Sequence, residues 1–271
     1  MAEIVLITGA SAGIGRATAE LLLKEGYTVY AGARRLEKLK ELEPLGAKVL
    51  PLDVTEESSL KNAVDTILKA EGRIDVLINN AGYGVNGAIE DVPMAEARRQ
   101  FEVNVFGLAS LTRLVLPVMR LQGSGKIINI SSIAGKITMP LGGWYHAAKY
   151  AVEAYSDALR LEVNRFGIKV ILIEPGPIKT EWDSVALANL SKHSGSGPYA
   201  PLADKLTNKL RAGYRKGAPG PEAVAAVILK ALRSKWPAAR YPVPFQAKII
   251  IFLKWLLPDR VLDAAINFLL K

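Results

Sequence analysis

Short apolar runs recur along the chain: Ile4-Val5-Leu6-Ile7, Tyr27 to Ala33, Val49-Leu50-Pro51-Leu52, Val76-Leu77-Ile78, Ile127-Ile128-Asn129-Ile130 and Val170-Ile171-Leu172-Ile173. Runs this short and continuous read as strands, the first of them as a buried parallel strand. Helical stretches lie between them. One spans about Ile14 to Lys24 and stops at Gly26; another carries Glu56 and Glu57 behind a Thr55 cap. Further helices are expected over about Ala97 to Leu121, Leu202 to Tyr214, and Pro221 to Leu232. Strand and helix alternate, which predicts an α/β chain with a doubly wound, mostly parallel central sheet.

Length agrees with one domain, since 271 residues without a Gly/Ser linker are ordinary for such a fold. We place the main domain at 1–241, with a substrate lid at about 181–220. Trp182, Val185, Leu187 and Leu190 would form the lid's apolar inner face, and His193 to Gly197 reads as a loose surface insertion. Residues 242–271 form a helical extension. It holds Ile249 to Leu253 and Trp255 to Leu257, then Pro258, then Val261, Leu262, Ile266 and Phe268 to Leu270. Each half is shorter than the roughly 20 residues that span a bilayer, and Pro258-Asp259 predicts a break and a new helix. Lys248, Lys254, Arg260 and Lys271 flank these positions in a way that suits anionic headgroups. Packing on the same domain or on a partner subunit ranks ahead of peripheral membrane contact, and the two are compatible.

Charge singles out the same end. The net charge is +9, and from Asp204 onward thirteen Lys or Arg face four Asp or Glu. The basic excess therefore sits wholly in the last quarter. No recognised module or basic–aromatic pattern accompanies it, so nucleic acid is not expected as a partner. The absence of cysteine excludes disulfides and thiolate chemistry. His146 and His193 are the only histidines, and their neighbours make no metal-ligand spacing; no metal is expected. The first strand opens at Ile4, so no cleavable signal is expected before it, and a cytoplasmic location is.

Candidate chemistry centres on Tyr145 and Lys149. Four apart on a helix, they share a face, and an ammonium beside a phenol is expected to lower the phenol's pKa from about 10. Ser132 follows an apolar run and can hold a substrate oxygen beside that phenol. Such a set suits proton transfer to a carbonyl, which becomes a redox reaction when a hydride donor is present. A donor site is written at the N-terminus, where Thr8-Gly9-Ala10-Ser11-Ala12-Gly13-Ile14-Gly15 links the first strand to a helix whose N-terminus faces a pyrophosphate. After the second strand come Arg34 and Arg35 where an NAD enzyme usually has an acid; they suit a 2′-phosphate and predict NADP(H), Arg34 being the stronger candidate.

The ordered set of Gly9, Gly13 and Gly15, then Asn79-Asn80-Ala81-Gly82, Asn104, Ser132, Tyr145 with Lys149, and Pro175-Gly176 resembles the short-chain dehydrogenase/reductase family. The likeness runs in register from about Glu3 to Thr180. It implies a Rossmann fold and a catalytic set of Asn104, Ser132, Tyr145 and Lys149, with Ser132 preferred to Ser131 by its place thirteen positions before Tyr145. Tyr145 would act as general acid during reduction, and Lys149 would also bond the nicotinamide ribose. Asn104 would shape its helix so that a water relays protons toward Lys149. The cofactor is implied to rest on Gly9, Ser11, Gly13, Ile14 and Gly15, on Asp53 and Val54 at the adenine, and on Asn80, Ala81 and Gly82. Pro175, Gly176, Ile178 and Thr180 would meet the nicotinamide end, and Asn79 would pack beside the adenine ribose. Trp144 and His146 would shape the pocket or nearby surface.

Beyond the common core, Leu256-Leu257-Pro258-Asp259-Arg260 and the apolar tail resemble the branch handling steroids, retinoids and long-chain lipid ketones. The expected activity is NADPH-dependent reduction of a hydrophobic ketone or aldehyde, acyl-dihydroxyacetone phosphate among them, by a homodimer or homotetramer. A β-ketoacyl carrier-protein reductase is the second reading. A membrane-associated NADP(H)-binding scaffold or sensor is the third.

Overall fold

The computed structural model describes residues 2–215 and 217–270. Among these, the apolar runs become β1 (Ile4–Thr8), β2 (Thr28–Ala33), β3 (Lys48–Pro51), β4 (Val76–Asn79), β5 (Gly125–Ile130) and β6 (Ile168–Pro175), joined by β7 (Arg240–Val243). They pair in the order β3-β2-β1-β4-β5-β6-β7, every pair parallel. The helices are α1 (Gly13–Lys24), α2 (Leu36–Lys40), α3 (Glu57–Glu71), α4 (Met94–Phe101), α5 (Leu108–Gln122) and α6 (Gly143–Val163). Then come α7 (Glu181–Ser194), α8 (Ala200–Arg215), α9 (Glu222–Arg233), α10 (Phe245–Leu256) and α11 (Asp259–Leu269).

Neighbouring strand residues point to opposite faces, and both faces are covered. Val5 and Ile7 join a core with Leu22 of α1 and Val224, Ile228 and Leu232 of α9. Leu6 lies on the other side among Val64 and Ile67 of α3, Val115 and Met119 of α5, and Leu159 of α6. Burying one such leucine contributes about 1.5–3 kcal/mol, which is why each run tolerates so few polar side chains. Met94–Gln122 has the length and apolarity of a membrane span by composition alone. Leu111, Val115 and Met119 instead pack it on the sheet.

Five details differ from the sequence reading. The helix expected over Ala97 to Leu121 is interrupted by a π turn at Glu102–Gly107. Thr55 does not cap α3; its hydroxyl donates to Asp53 (2.8 Å) and Glu56 takes the cap position. The stretch from His193 is tied down at its start, where buried Ser194 accepts from Ala88 N (2.9 Å) and donates to Asp91 (2.6 Å), while Gly195 to Gly197 lie exposed at the surface. Val185 faces solvent, so the inner side of α7 is built by Trp182, Ala186 and Leu190. The sheet runs to Val243, two residues beyond 241, before the extension begins. Lys271 lies outside the described residues.

Strand order reverses at β1, whose neighbours are β2 on one side and β4 on the other. The crevice outside the carboxyl ends of strands at such a reversal is where open α/β sheets bind ligands.

Candidate active site

The carboxyl end of β1 enters the glycine turn. Gly9 has φ +68°, and a Cβ there would lie 2.9 Å from Ala81 Cα, so only glycine lets the turn close on the segment after β4. Asn80 braces this turn: its amide donates to Thr8 O (2.9 Å) and Gly9 O (3.2 Å). A side chain on Gly15 would collide with that same amide. No side chain caps α1, and no acid stands in its first turn. Its leading N–H groups and dipole are left to an anion, so the residues present suit a dinucleotide pyrophosphate. Gly13 meets Thr180, where a Cβ would lie 3.4 Å from the threonine's own. This brings the turn and the segment after β6 to opposite sides of one cleft.

Farther along the cleft, Arg35 donates to Ser11 Oγ (3.2 Å) and pairs with Glu181 (2.9 Å), which Lys38 also reaches (2.8 Å). Arg34 is exposed. Burial opposes ionisation of Asp53, but bonds from the Thr55 N–H and hydroxyl prevail, with Arg34 and Arg99 helping, and its pKa is lowered. Val54 is buried against Gly107 at the end of the π turn. Ile14 is partly buried and Ile178 fully so in the core beneath. Asn79 is buried at the end of β4. Its amide donates to Asn129 (2.9 Å) and Thr112 (3.0 Å), and Asn129 donates on to Ser156 (2.8 Å), a polar ladder between sheet and helices.

Ser132, Tyr145 and Lys149 come together where β5 ends and α6 begins. Ser132 accepts from Ala134 N (3.1 Å) and donates to Pro175 O (3.2 Å), which fixes its hydroxyl between two strand ends. The Tyr145 hydroxyl lies near enough for that serine to favour its ionised form. Ser131 is buried beneath. Lys149 donates to Ile130 O (2.8 Å), with its nitrogen 5.9 Å from the centre of the Tyr145 ring. His146 bridges the intervening loop, Nδ1 on Ala134 O (3.0 Å) and Nε2 accepting from Met139 N (3.1 Å). Burial keeps its pKa below the usual value, so the ring is neutral. Trp144 packs with Val85, Val92 and Ala97. Asn104, on the π turn, donates to Tyr83 O (2.8 Å) and accepts from Tyr83 N (3.1 Å). Both ends of its amide are thus taken by the segment after β4, with Gly82 between them. Gly176 donates to Val243 O (2.7 Å), which ties the bend after Pro175 to β7.

The electrostatics reverse the sequence expectation. Burial pushes the Tyr145 phenol up to about 12, and Ser132 only partly offsets it. Burial also lowers Lys149 to about 8, against the charge of Glu153 one turn on. The ammonium is held by a strand carbonyl rather than by the phenol, so desolvation wins.

Sequence reasoning missed a buried charge cluster behind the lysine. Glu153 pairs with Lys136 (2.6 Å) and Arg240 (3.0 Å), and Glu174 stands 3.7 Å and 3.4 Å from the same two cations. Burial, then the Glu153 charge, raises Glu174 to about 7. The available signals were an acid four places after Lys149 and another closing an apolar run.

This fold and cleft define a nucleotide-binding oxidoreductase, and the chain belongs to the short-chain dehydrogenase/reductase family. Residues 3–190 match the family profile described as short chain dehydrogenase. The chain is 39% identical over 276 residues to a 3-ketodihydrosphingosine reductase of Bacteroides thetaiotaomicron, covering 98% of this chain and 97% of that one. It is 39% identical over 269 residues to an NADPH-dependent 3-dehydrocapnine reductase of Ornithobacterium rhinotracheale, covering 95% and 94%. A crystal structure of a short-chain dehydrogenase from Streptomyces avermitilis superposes with TM-score 0.82 at 34% identity, over 98% and 96% of the two chains. The protein is therefore an oxidoreductase of alcohol and ketone groups that uses a nicotinamide cofactor.

Proposed function

We propose that the enzyme is an NADPH-dependent carbonyl reductase, reversible as an alcohol dehydrogenase, for a hydrophobic ketone or aldehyde, with a long-chain keto lipid as the substrate class. The observation that carries the chemistry is the meeting of Ser132 and Tyr145 hydroxyls beside Lys149. When bound, a reduced nicotinamide supplies the hydride. Gly9, Ser11, Gly13, Ile14 and Gly15 would hold its pyrophosphate side, Arg34 and Arg35 its 2′-phosphate, and Lys149 with Thr180 its nicotinamide end.

Ser132 hydrogen-bonds the substrate oxygen and steadies its developing negative charge. Tyr145 gives that oxygen a proton, and a phenol held near 12 keeps its proton through the neutral range, which favours reduction. Lys149 carries positive charge beside the site below about pH 8. Asn104 sets the turn of its helix through Tyr83. Trp182 excludes water above the phenol.

The substrate class draws support from the apolar side of the lid and from two relatives named for 3-ketodihydrosphingosine and 3-dehydrocapnine reduction. Exposed Phe106 and Leu121 on the Asn104 helix, and Leu161 on α6, support a homodimer or homotetramer. We place the enzyme in the cytoplasm, beside the NADPH it consumes. The test is a screen of NADPH consumption over 3-ketodihydrosphingosine, long-chain ketones, steroids, retinaldehyde, acyl-dihydroxyacetone phosphate and acetoacetyl thioesters. Long-chain ketones should give the highest kcat/KM. Preference for the thioester would support the β-ketoacyl reductase reading, and no turnover of any would support the scaffold or sensor.

A further inference from the structure

The two C-terminal helices have apolar side chains on both their inner and outer faces. Inward, Ala247 of α10 packs beside Gly176, near the turn that follows Ser132. Ile266 and Leu270, at the end of α11, pack with Leu190 and Leu206 of the lid. These contacts fix both helices on the domain and use up their inner stripes.

The opposite faces should then be polar, as on an ordinary surface helix. They are not. Phe245, Ile249, Phe252 and Leu256 fall at i, i+4, i+7 and i+11 on α10, one continuous outward stripe, with Phe245 69% and Phe252 55% exposed. On α11 the outward line is Val261, Ala264 and Phe268, the last 77% exposed. Trp255, 78% exposed, flanks the first stripe and packs its ring 5.8 Å from that of Phe252. Together these side chains expose on the order of 1,000 Å², where the largest patch of a typical monomer is a few hundred.

Charge decides between the occupants. Exposed Lys248 and Arg260 border the stripes, and over the two helices Lys248, Lys254 and Arg260 stand against Asp259 and Asp263. A second copy seated here by two-fold symmetry would set this charge against itself. An anionic surface complements it, and aromatic rings beside cations suit the boundary between headgroups and acyl chains. Helices of 12 and 11 residues are too short to span, so they would lie in that boundary.

We propose that the outer faces of α10 and α11 seat the enzyme on an anionic phospholipid surface. This goes beyond the carbonyl-reductase reading and does not depend on it. It would bring lipid next to the helix that touches the Ser132 turn.

The experiment is flotation of the full chain with vesicles of phosphatidylcholine, with and without phosphatidylglycerol, read by protein recovered and not by turnover. The wild-type protein should float with the anionic vesicles and stay behind with the neutral ones. The double substitution Phe252→Ser, Trp255→Ser should weaken binding at least ~10-fold, because two of the exposed rings no longer bury. Lys248→Glu with Arg260→Glu should weaken it at least ~10-fold on anionic vesicles only. All four positions face outward, so both variants should keep the wild-type thermal midpoint. Failure of the wild-type protein to float overturns the proposal. So does a dimer in light scattering that Phe252→Ser, Trp255→Ser dissociates, because the stripe would then be a subunit interface.

Discussion

Trp182 holds its indole 5.2 Å from the Tyr145 ring, tilted by 50°. The contact is made possible by Gly84, where a Cβ would come within 2.5 Å of the indole. One lid residue thereby covers the phenol, and desolvation of that phenol is what raises its pKa. Alcohol oxidation needs the phenolate, so its rate should climb with pH toward about 12. In Trp182→Ala water returns and the climb should begin at lower pH. An unshifted pH profile of oxidation would show that other groups shield Tyr145.

Tyr145→Phe removes the proton donor and little else. Ketone reduction should fall by roughly 10²–10⁴-fold, the usual contribution of a placed acid. Binding of NADPH, followed by its fluorescence, should stay within a few-fold of wild type.

Lys149 gives reduction its upper pH limit. With its pKa lowered to about 8, kcat/KM for reduction should fall as the pH rises through that value. Glu153 opposes the lowering, so Glu153→Gln should move the fall to lower pH, and Glu153→Asp should restore part of it. A merely structural defect would reduce the rate without moving the midpoint.

Arg34→Ala should raise the KM for NADPH about 30-fold, equivalent to about 2 kcal/mol for a lost charge-assisted bond, and leave the KM for NADH unchanged. Arg35→Ala should do less, because its guanidinium is already engaged by Ser11 and Glu181. Steady-state kinetics with both cofactors check the difference.

Strands β1, β2, β4, β5 and β6 are legible in the sequence because burial on both faces demands apolar runs, and edge strand β3 through its Val49-Leu50-Pro51-Leu52 stretch. β7 is not, since Arg240-Tyr241-Pro242-Val243 is short, lies at the sheet edge and gains its order from the β6 backbone. The Tyr145–Lys149 spacing is legible because a helix converts four residues into one face. Their pKa values are not, because these depend on burial and on partners brought in from elsewhere. Trp182 arrives from a helix beyond β6, and the Ile130 carbonyl from the end of β5. The acids behind Lys149 escape notice for the same reason, with Lys136, Glu153, Glu174 and Arg240 arriving from four separate parts of the chain.

The π turn at Glu102–Gly107 acts as a phase shift within a single rod. Each residue advances an α-helix by about 100°, so shortening this turn by one would swing the whole downstream half by about that angle. Leu111, Val115 and Met119, now seated on the sheet, would be turned toward water. The helix therefore carries two separately aligned faces, one set by Asn104 against Tyr83 and the other by the core.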